Sequence, residues 1–259
     1  MPPSYPQSYV TVVPVYKSAP SKTESLSLMQ LRMLDVQNVT LACPEGLDLT
    51  PYLHLWPELK AQRYATKYFL SVQSYNDLVI SPAFYEPFAK DFDYLLLHQL
   101  DAFLLSNQIL EFCNQGFDYY GAPWKIGFPQ YRFLLNRWPI KINAKRFHVG
   151  NGGLSLRKIE STINLLQRKK GHISKTFFME DAFFGYWGSI DSVFHACPPL
   201  VAAKFSLEME PAYWMEKSGG LPMGFHGFEV WHQDFYSPLL QESYQKLSEA
   251  YPQLLRNFY

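Results

Sequence analysis

The chain has 259 residues, 47% hydrophobic and 18% charged, which supports a sizeable core and excludes a disordered chain. Lys and Arg total 23, as do Asp and Glu, so the chain-wide basic field of a nucleic-acid binder is absent. Cys43, Cys113 and Cys197 are odd in number, widely separated and without a Cys-x-x-Cys pair. They exclude a disulfide framework or zinc cluster and point to a reducing compartment.

The first residues, Met1-Pro2-Pro3-Ser4-Tyr5, offer no basic n-region and no apolar h-region, so no signal peptide is expected. No apolar run approaches the ~20 residues that cross a bilayer. A soluble, cytoplasmic protein is expected. Val10 to Tyr16 is β-branched and reads as a buried first strand. Ser21-Lys22-Thr23-Glu24 then supplies cap chemistry for a helix carrying Leu26, Leu28, Met29, Leu31 and Leu34. Val36 to Cys43 makes a second strand, and strand, helix, strand over so short a stretch argues for a parallel sheet. A second helix is expected over Trp56 to Leu70, and Leu78-Val79-Ile80 is a brief apolar run. Phe92 to Leu97 is the next strand and runs into His98-Gln99-Leu100-Asp101; Phe117 to Ala122 closes the first half. Ser161 to Lys170 reads as a helix with a basic end. The pattern predicts an α/β fold, a mixed, mainly parallel sheet flanked by helices. One domain with two lobes is expected, about 9–122 and about 123–259.

Four segments hold chemistry-bearing residues. Asp101 follows a strand end, where ligands of open parallel sheets bind, whereas Asp91 and Asp93 precede the strand and match Asp-x-Asp only literally. Asp101 suits a hard divalent cation with coordination positions left open, or else caps a helix. In Val149-Gly150-Asn151-Gly152-Gly153-Leu154, the glycines allow close backbone approach to a ligand, or a tight loop entering a strand. Glu180-Asp181 stands among aromatics, a setting that raises carboxylate basicity; alternatively, it opens a helix, whose dipole favours acids. His226, between glycines, suits a metal or phosphate, or is simply packed. Lys125, Arg132, Arg137, Lys141, Lys145, Arg146, Arg157 and Lys158 lie in a stretch almost free of acids, either a solvated basic face or a phosphate groove.

In this order, Thr11 to Lys17, Leu97 to Ala102, Asp118 to Trp124, Val149 to Arg157, Glu180-Asp181 and Gly224-Phe225-His226-Gly227 resemble the GT-A class of nucleotide-sugar glycosyltransferases. More closely, the chain resembles a family of mostly uncharacterised bacterial proteins classed as glycosyltransferase-like. The resemblance implies a GT-A-like, Rossmann-related fold with Pro14, Tyr16 and Glu24 beside the base or ribose. It implies Gln99, Asp101 and Arg157 at the donor diphosphate, with Gln99 standing where the usual metal motif has its first Asp. Asp101 and His226 are the implied ligands of Mn²⁺ or Mg²⁺. Trp124, Asn151, Gly152 and Gly153 fall on the acceptor sugar, and Asp181 matches the general base of inverting members, with Glu180 beside it.

The implied activity is a hexosyltransferase-like transfer from a nucleotide sugar, a UDP-sugar first, to a glycan or glycolipid hydroxyl, with no nucleic acid involved. A retaining transferase, and a non-catalytic nucleotide-sugar or carbohydrate-binding module of the same fold, stay open as alternatives. A nucleotidyltransferase would need a Gly/Arg/Lys-rich loop after Tyr16, and a glycosidase a second paired carboxylate segment. Arg168-Lys169-Lys170 offers an anionic lipid surface only three charges.

Overall fold

The computed structural model describes residues 7–128, 131–134, 138–141, 146–170 and 179–255. Strand β1 (Tyr9–Pro14) is buried along its whole length, as its β-branched run requires. Helix α1 (Lys22–Met33) starts on the Ser21/Glu24 capping box and buries Leu26, Leu28, Met29 and Leu31. Two of its buried polar side chains donate across the core: Ser27 Oγ to Ala102 O at 2.6 Å and Gln30 Nε2 to Leu104 O at 2.9 Å. β2 (Val39–Pro44) follows, then the short α2 (Thr50–Leu55).

The helix expected over Trp56 to Leu70 does not form. Trp56 precedes Pro57 and is extended (φ −147°, ψ 93°), as the proline ring demands of its predecessor. The chain becomes β3 (Lys60–Tyr64), which among the described residues pairs only with β2 and shows four of its five side chains at least partly to solvent. An edge strand of this kind lacks the apolar alternation by which strands are read. Leu78 and Val79 close helix α3 (Val72–Val79), followed by α4 (Pro82–Tyr85).

Next come β4 (Tyr94–His98), β5 (Ala102–Leu104), α5 (Ile109–Cys113), β6 (Tyr119–Tyr120) and β7 (Pro123–Phe128). The second half runs through β8 (Tyr131–Leu134), β9 (Trp138–Lys141), β10 (Phe147–Val149), β11 (Leu154–Lys158), α6 (Ile159–Arg168) and α7 (Glu180–Ile190). It ends with α8 (Pro199–Phe205), β12 (Ser206–Leu207), α9 (Pro211–Ser218), β13 (Gly224–His226), α10 (Gln233–Ala250) and α11 (Pro252–Leu255).

The six-stranded sheet has the order β3-β2-β1-β4-β11-β6, parallel from β3 through β4. β11 enters antiparallel, with Leu154 opposite His98. That register brings the loop before β11 to the edge where the parallel strands end. A three-stranded sheet, β12-β13-β5, sets His226 opposite Ala102, the neighbour of Asp101. β7 pairs with β10 and β8 with β9. Cys43, Cys113 and Cys197 are free and buried, and none of the described helices is long and apolar enough to cross a membrane.

Candidate functional site

The carboxyl ends of β1 and β4 open on one crevice of about 500 Å³. Pro14, Tyr16, Glu24, Gln99 and Asp101, far apart in sequence, all line it, with Lys17, Tyr75 and Glu229. Tyr16 is 60% exposed, an open aromatic face. Lys17 Nζ lies 2.7 Å from Glu24 Oε1, while the other oxygen of that carboxylate accepts from Ser21 N. Glu24, Asp101 and Glu229 outnumber Lys17, so the crevice is acidic. Asp93, by contrast, sits at the other end of β4, where its Oδ2 accepts from Ser8 N and Oγ, both at 2.9 Å.

The β13–β5 register delivers His226 to Asp101: Nε2 lies 3.2 Å from Asp101 Oδ1 and 3.2 Å from Gln99 Oε1. On the far side of the ring, Nδ1 lies 3.5 Å from Glu208 Oε2. Burial works against a charged ring, but the contacts with Asp101 and Glu208 outweigh it and lift His226 to about 10. The nearby His98 is buried without such partners and is lowered to about 4.

Among the described residues no group of three or more His, Cys, Asp and Glu gathers as a metal set. The donors present are one carboxylate, one imidazole and one amide oxygen. Buried His226 Nδ1 and Glu208 Oε2 have no hydrogen-bond partner, although they face each other. A proton on Nδ1 shared with Glu208 would free Nε2 toward Asp101 and Gln99, the second-shell arrangement usual for a metal-ligating histidine. A cation would have to displace the Nε2 proton that His226 carries at neutral pH; with that proton gone, Asp101, His226 and Gln99 offer it three donors.

Glu180 and Arg157 occupy different ground from that expected. Arg157 is completely buried: its guanidinium donates to Tyr85 Oη at 2.7 Å, to Ser155 Oγ at 3.0 and 3.1 Å, and pairs with Glu180 Oε2 at 2.7 Å. It cannot meet a donor diphosphate, and Glu180 is engaged by it in a buried ion pair. The expectation that Gly152 and Gly153 lie against the sugar is also corrected. A Cβ on Gly152 would enter the Glu180 carboxylate and one on Gly153 the His226 ring. These glycines admit protein groups, and neither is among the residues lining the two crevices.

Asp181, in the first turn of α7, takes a second crevice of about 340 Å³ with Trp124, Asn151, Glu208 and Glu210. Burial first, then the charge of Glu180, lifts Asp181 to about 7, against the Ala182 N–H that donates to its Oδ1 at 2.6 Å. Trp124 packs on Phe128 and Phe147 as one wall. Glu208 thus touches both His226 and the Asp181 crevice, and His226 touches Asp101.

The basic stretch does not gather into a phosphate groove among the described residues. Lys125 Nζ sits 4.4 Å from the Tyr213 ring centre, Arg146 donates to Ile126 O and Gly127 O, and Arg157 is buried. The side chains of Arg132, Arg137, Lys141 and Lys145 lie outside the described residues. Arg168 and Lys169 are held by Asp191 at 3.0 and 3.2 Å, which leaves little of that triplet for lipid. Glu208, Glu210, Glu229 and Tyr75 escape the sequence reading. Glu208 follows a two-residue strand whose partner lies 18 residues on, and nothing local marks it.

The family model described as "Protein of unknown function (DUF5672)" matches residues 58–226. None of the curated proteins matches by sequence. Among solved structures, mouse xyloside xylosyltransferase 1 in its apo form is similar at TM-score 0.52 and 16% identity, over 85% of this chain and 97% of that one. The galactosyltransferase LgtC, in complex with donor and acceptor sugar analogs, is similar at TM-score 0.51 and 8% identity, over 83% and 86%. An active-site mutant of LgtC gives 0.52 and 10%, over 90% and 95%. At these identities the likeness is one of fold, that of GT-A glycosyltransferases.

Proposed function

We propose that this chain, which belongs to the family described as "Protein of unknown function (DUF5672)", is a nucleotide-sugar glycosyltransferase. The observation that carries this reading is the unbroken line Asp101, His226, Glu208, which joins the crevice at the ends of β1 and β4 to the crevice of Asp181. A donor in the first crevice and an acceptor hydroxyl in the second would meet across it. Two of the similar solved structures are named xylosyltransferase and galactosyltransferase, and the second was solved with donor and acceptor sugar analogs. On this reading the donor half is about 9–122 and the acceptor half about 123–259.

Tyr16 offers its exposed ring to a base, and Pro14 and Glu24 flank the ribose; a uridine nucleotide is the first candidate. Asp101, His226 and Gln99 would hold Mn²⁺ or Mg²⁺, which when bound neutralises charge on the departing diphosphate. The lining sets Glu24, Asp101 and Glu229 against Lys17, with His226 beside Asp101, a negative balance that favours such a cation. Asp181 accepts the proton of the attacking hydroxyl, a base with a pKa near the working pH. Trp124 covers an apolar sugar face and Asn151 hydrogen-bonds its hydroxyls. The reaction is then a direct displacement that inverts the anomeric centre.

A thermal-shift screen of UDP-, GDP- and dTDP-sugars with and without Mn²⁺, followed by transfer assays on the stabilising donor, tests the reading. Stabilisation by one nucleotide sugar together with turnover supports it. Stabilisation without turnover favours the non-catalytic binding module, which the missing charge at Gln99 also suits. A retained anomeric configuration removes the inverting mechanism.

A further inference from the structure

Among the described residues, Arg157 and Glu180 form the most deeply buried ion pair, their side chains 0% and 8% exposed. Such a pair adds little stability over apolar residues of like volume, because desolvation cancels most of the attraction. The desolvation is offset here by prearranged acceptors. Tyr85 Oη donates to Val79 O at 2.9 Å and Ser155 Oγ to Gly152 O at 2.8 Å, so both hydroxyls turn lone pairs toward the guanidinium. The guanidinium also lies over the Phe184 ring, 4.6 Å from its centre. Strand β11, α4, α7 and the glycine loop are thereby tied at one point. Two residues adjoining that point line the second crevice. Asp181 follows Glu180 in the first turn of α7, and Asn151 precedes Gly152, whose missing Cβ leaves room for Glu180 Oε1.

From this geometry we propose that the Arg157–Glu180 pair is the positioning element of the Asp181 crevice: it locks the start of α7 against the glycine loop and sets the electrostatic field at Asp181. The inference rests on the glycosyltransferase reading and adds two positioning residues to its base. A misplacement of about one ångström near reacting groups costs ~10²-fold in rate, so the base needs a fixed seat. The field follows from the same contacts. At Asp181, burial acts most strongly, the charge of Glu180 comes next and outweighs that of Arg157, and Glu208 adds to it. Tyr119 on β6, and Lys125 and Glu210 in the crevice lining, are further ionisable neighbours.

The test compares the full wild-type chain with Glu180→Gln and with the double variant Arg157→Met/Glu180→Met. The double variant removes both charges yet leaves the Tyr85 and Ser155 hydroxyls on their carbonyls, so it serves where Glu180→Gln does not fold. Thermal melts establish folding. Carboxyl ¹³C NMR follows the titration of Asp181, identified by its loss in Asp181→Asn, and kcat/KM is measured against pH with the donor and acceptor that the screen yields. Asp181 should titrate at about 7 in the wild type. It should titrate lowest in Glu180→Gln, where Arg157 is left unopposed, and in between in the double variant. The plateau rate of the double variant should fall ~10-fold or more. Glu180→Asp keeps the charge and should hold the titration near its wild-type place. A role in folding alone would move the melts and not the titration. An Asp181 titration unchanged or raised when the charges are removed overturns the inference, as does a wild-type plateau rate in the folded double variant. The NMR arm needs no donor. Titrations in the stated order without transfer from any donor therefore sink the transferase reading alone, and transfer by a chain whose Asp181 titration ignores Glu180 sinks the inference alone.

Discussion

Asp181 and Glu180 are adjacent in sequence yet have opposite chemistry. Glu180 is neutralised by Arg157 at 2.7 Å, while Asp181 is pushed to about 7 by burial and by Glu180 itself. On the proposed reading Asp181 works in its ionised form, so kcat/KM should rise with pH to a plateau above about 7. Asp181→Asn should remove that limb and lower transfer by about 10²–10⁴-fold; undiminished turnover in pH-rate measurements would refute the base assignment. The sequence exposed the pair, because two acids among aromatics are conspicuous, but not which one is free. That depended on Arg157, 23 positions away, whose buried course no local pattern reveals. Gly152 and Gly153 were equally visible, yet their reason lay in Glu180 and His226 rather than in a ligand.

Strand β11 and helix α7 are clasped by the Arg157–Glu180 pair, with Ser155 and Tyr85 completing its hydrogen bonds. Glu180→Gln leaves a buried guanidinium without its counter-charge, so urea denaturation should show a loss of about 3–5 kcal/mol. An unchanged midpoint would mean that solvent reaches this pair. Helix α1 offers a milder case. Ser21→Ala removes the cap on Glu24 N and should cost about 1 kcal/mol by the same measurement. Buried elements such as β1, β2 and β4 were legible because their residues are almost all apolar or β-branched. β3 was not: an edge strand facing water is selected by its hydrogen bonds to β2, and Lys60-Ala61-Gln62-Arg63-Tyr64 carries no period to announce them.

Across the whole molecule, the protons on His226 and Asp181 couple folding to pH. His226 rises from 6.5 to about 10 and Asp181 from 3.8 to about 7, so the folded chain binds both protons more tightly than the unfolded chain. The contribution of His226 is fully present below pH 6.5 and fades as pH climbs through about 10; that of Asp181 is present below 3.8 and fades through about 7. Without added metal, the melting temperature should therefore fall between about pH 7 and 10, and His226→Gln should flatten this fall in differential scanning fluorimetry. A melting temperature that instead rises over that range would contradict the charged state of His226. The sequence by itself determined the α/β class, the first and central strands, and the chemical types gathered at Pro14 to Glu24, Gln99 to Asp101, Asp181 and His226, because these follow from composition and short-range pattern. Only the tertiary structure decided that Arg157 and Glu180 neutralise each other, that Glu208 joins His226 to the Asp181 crevice, and that the glycines make room for side chains. Burial and electrostatic field arise from residues brought together by sheet register, and register between distant strands is not written in either strand alone.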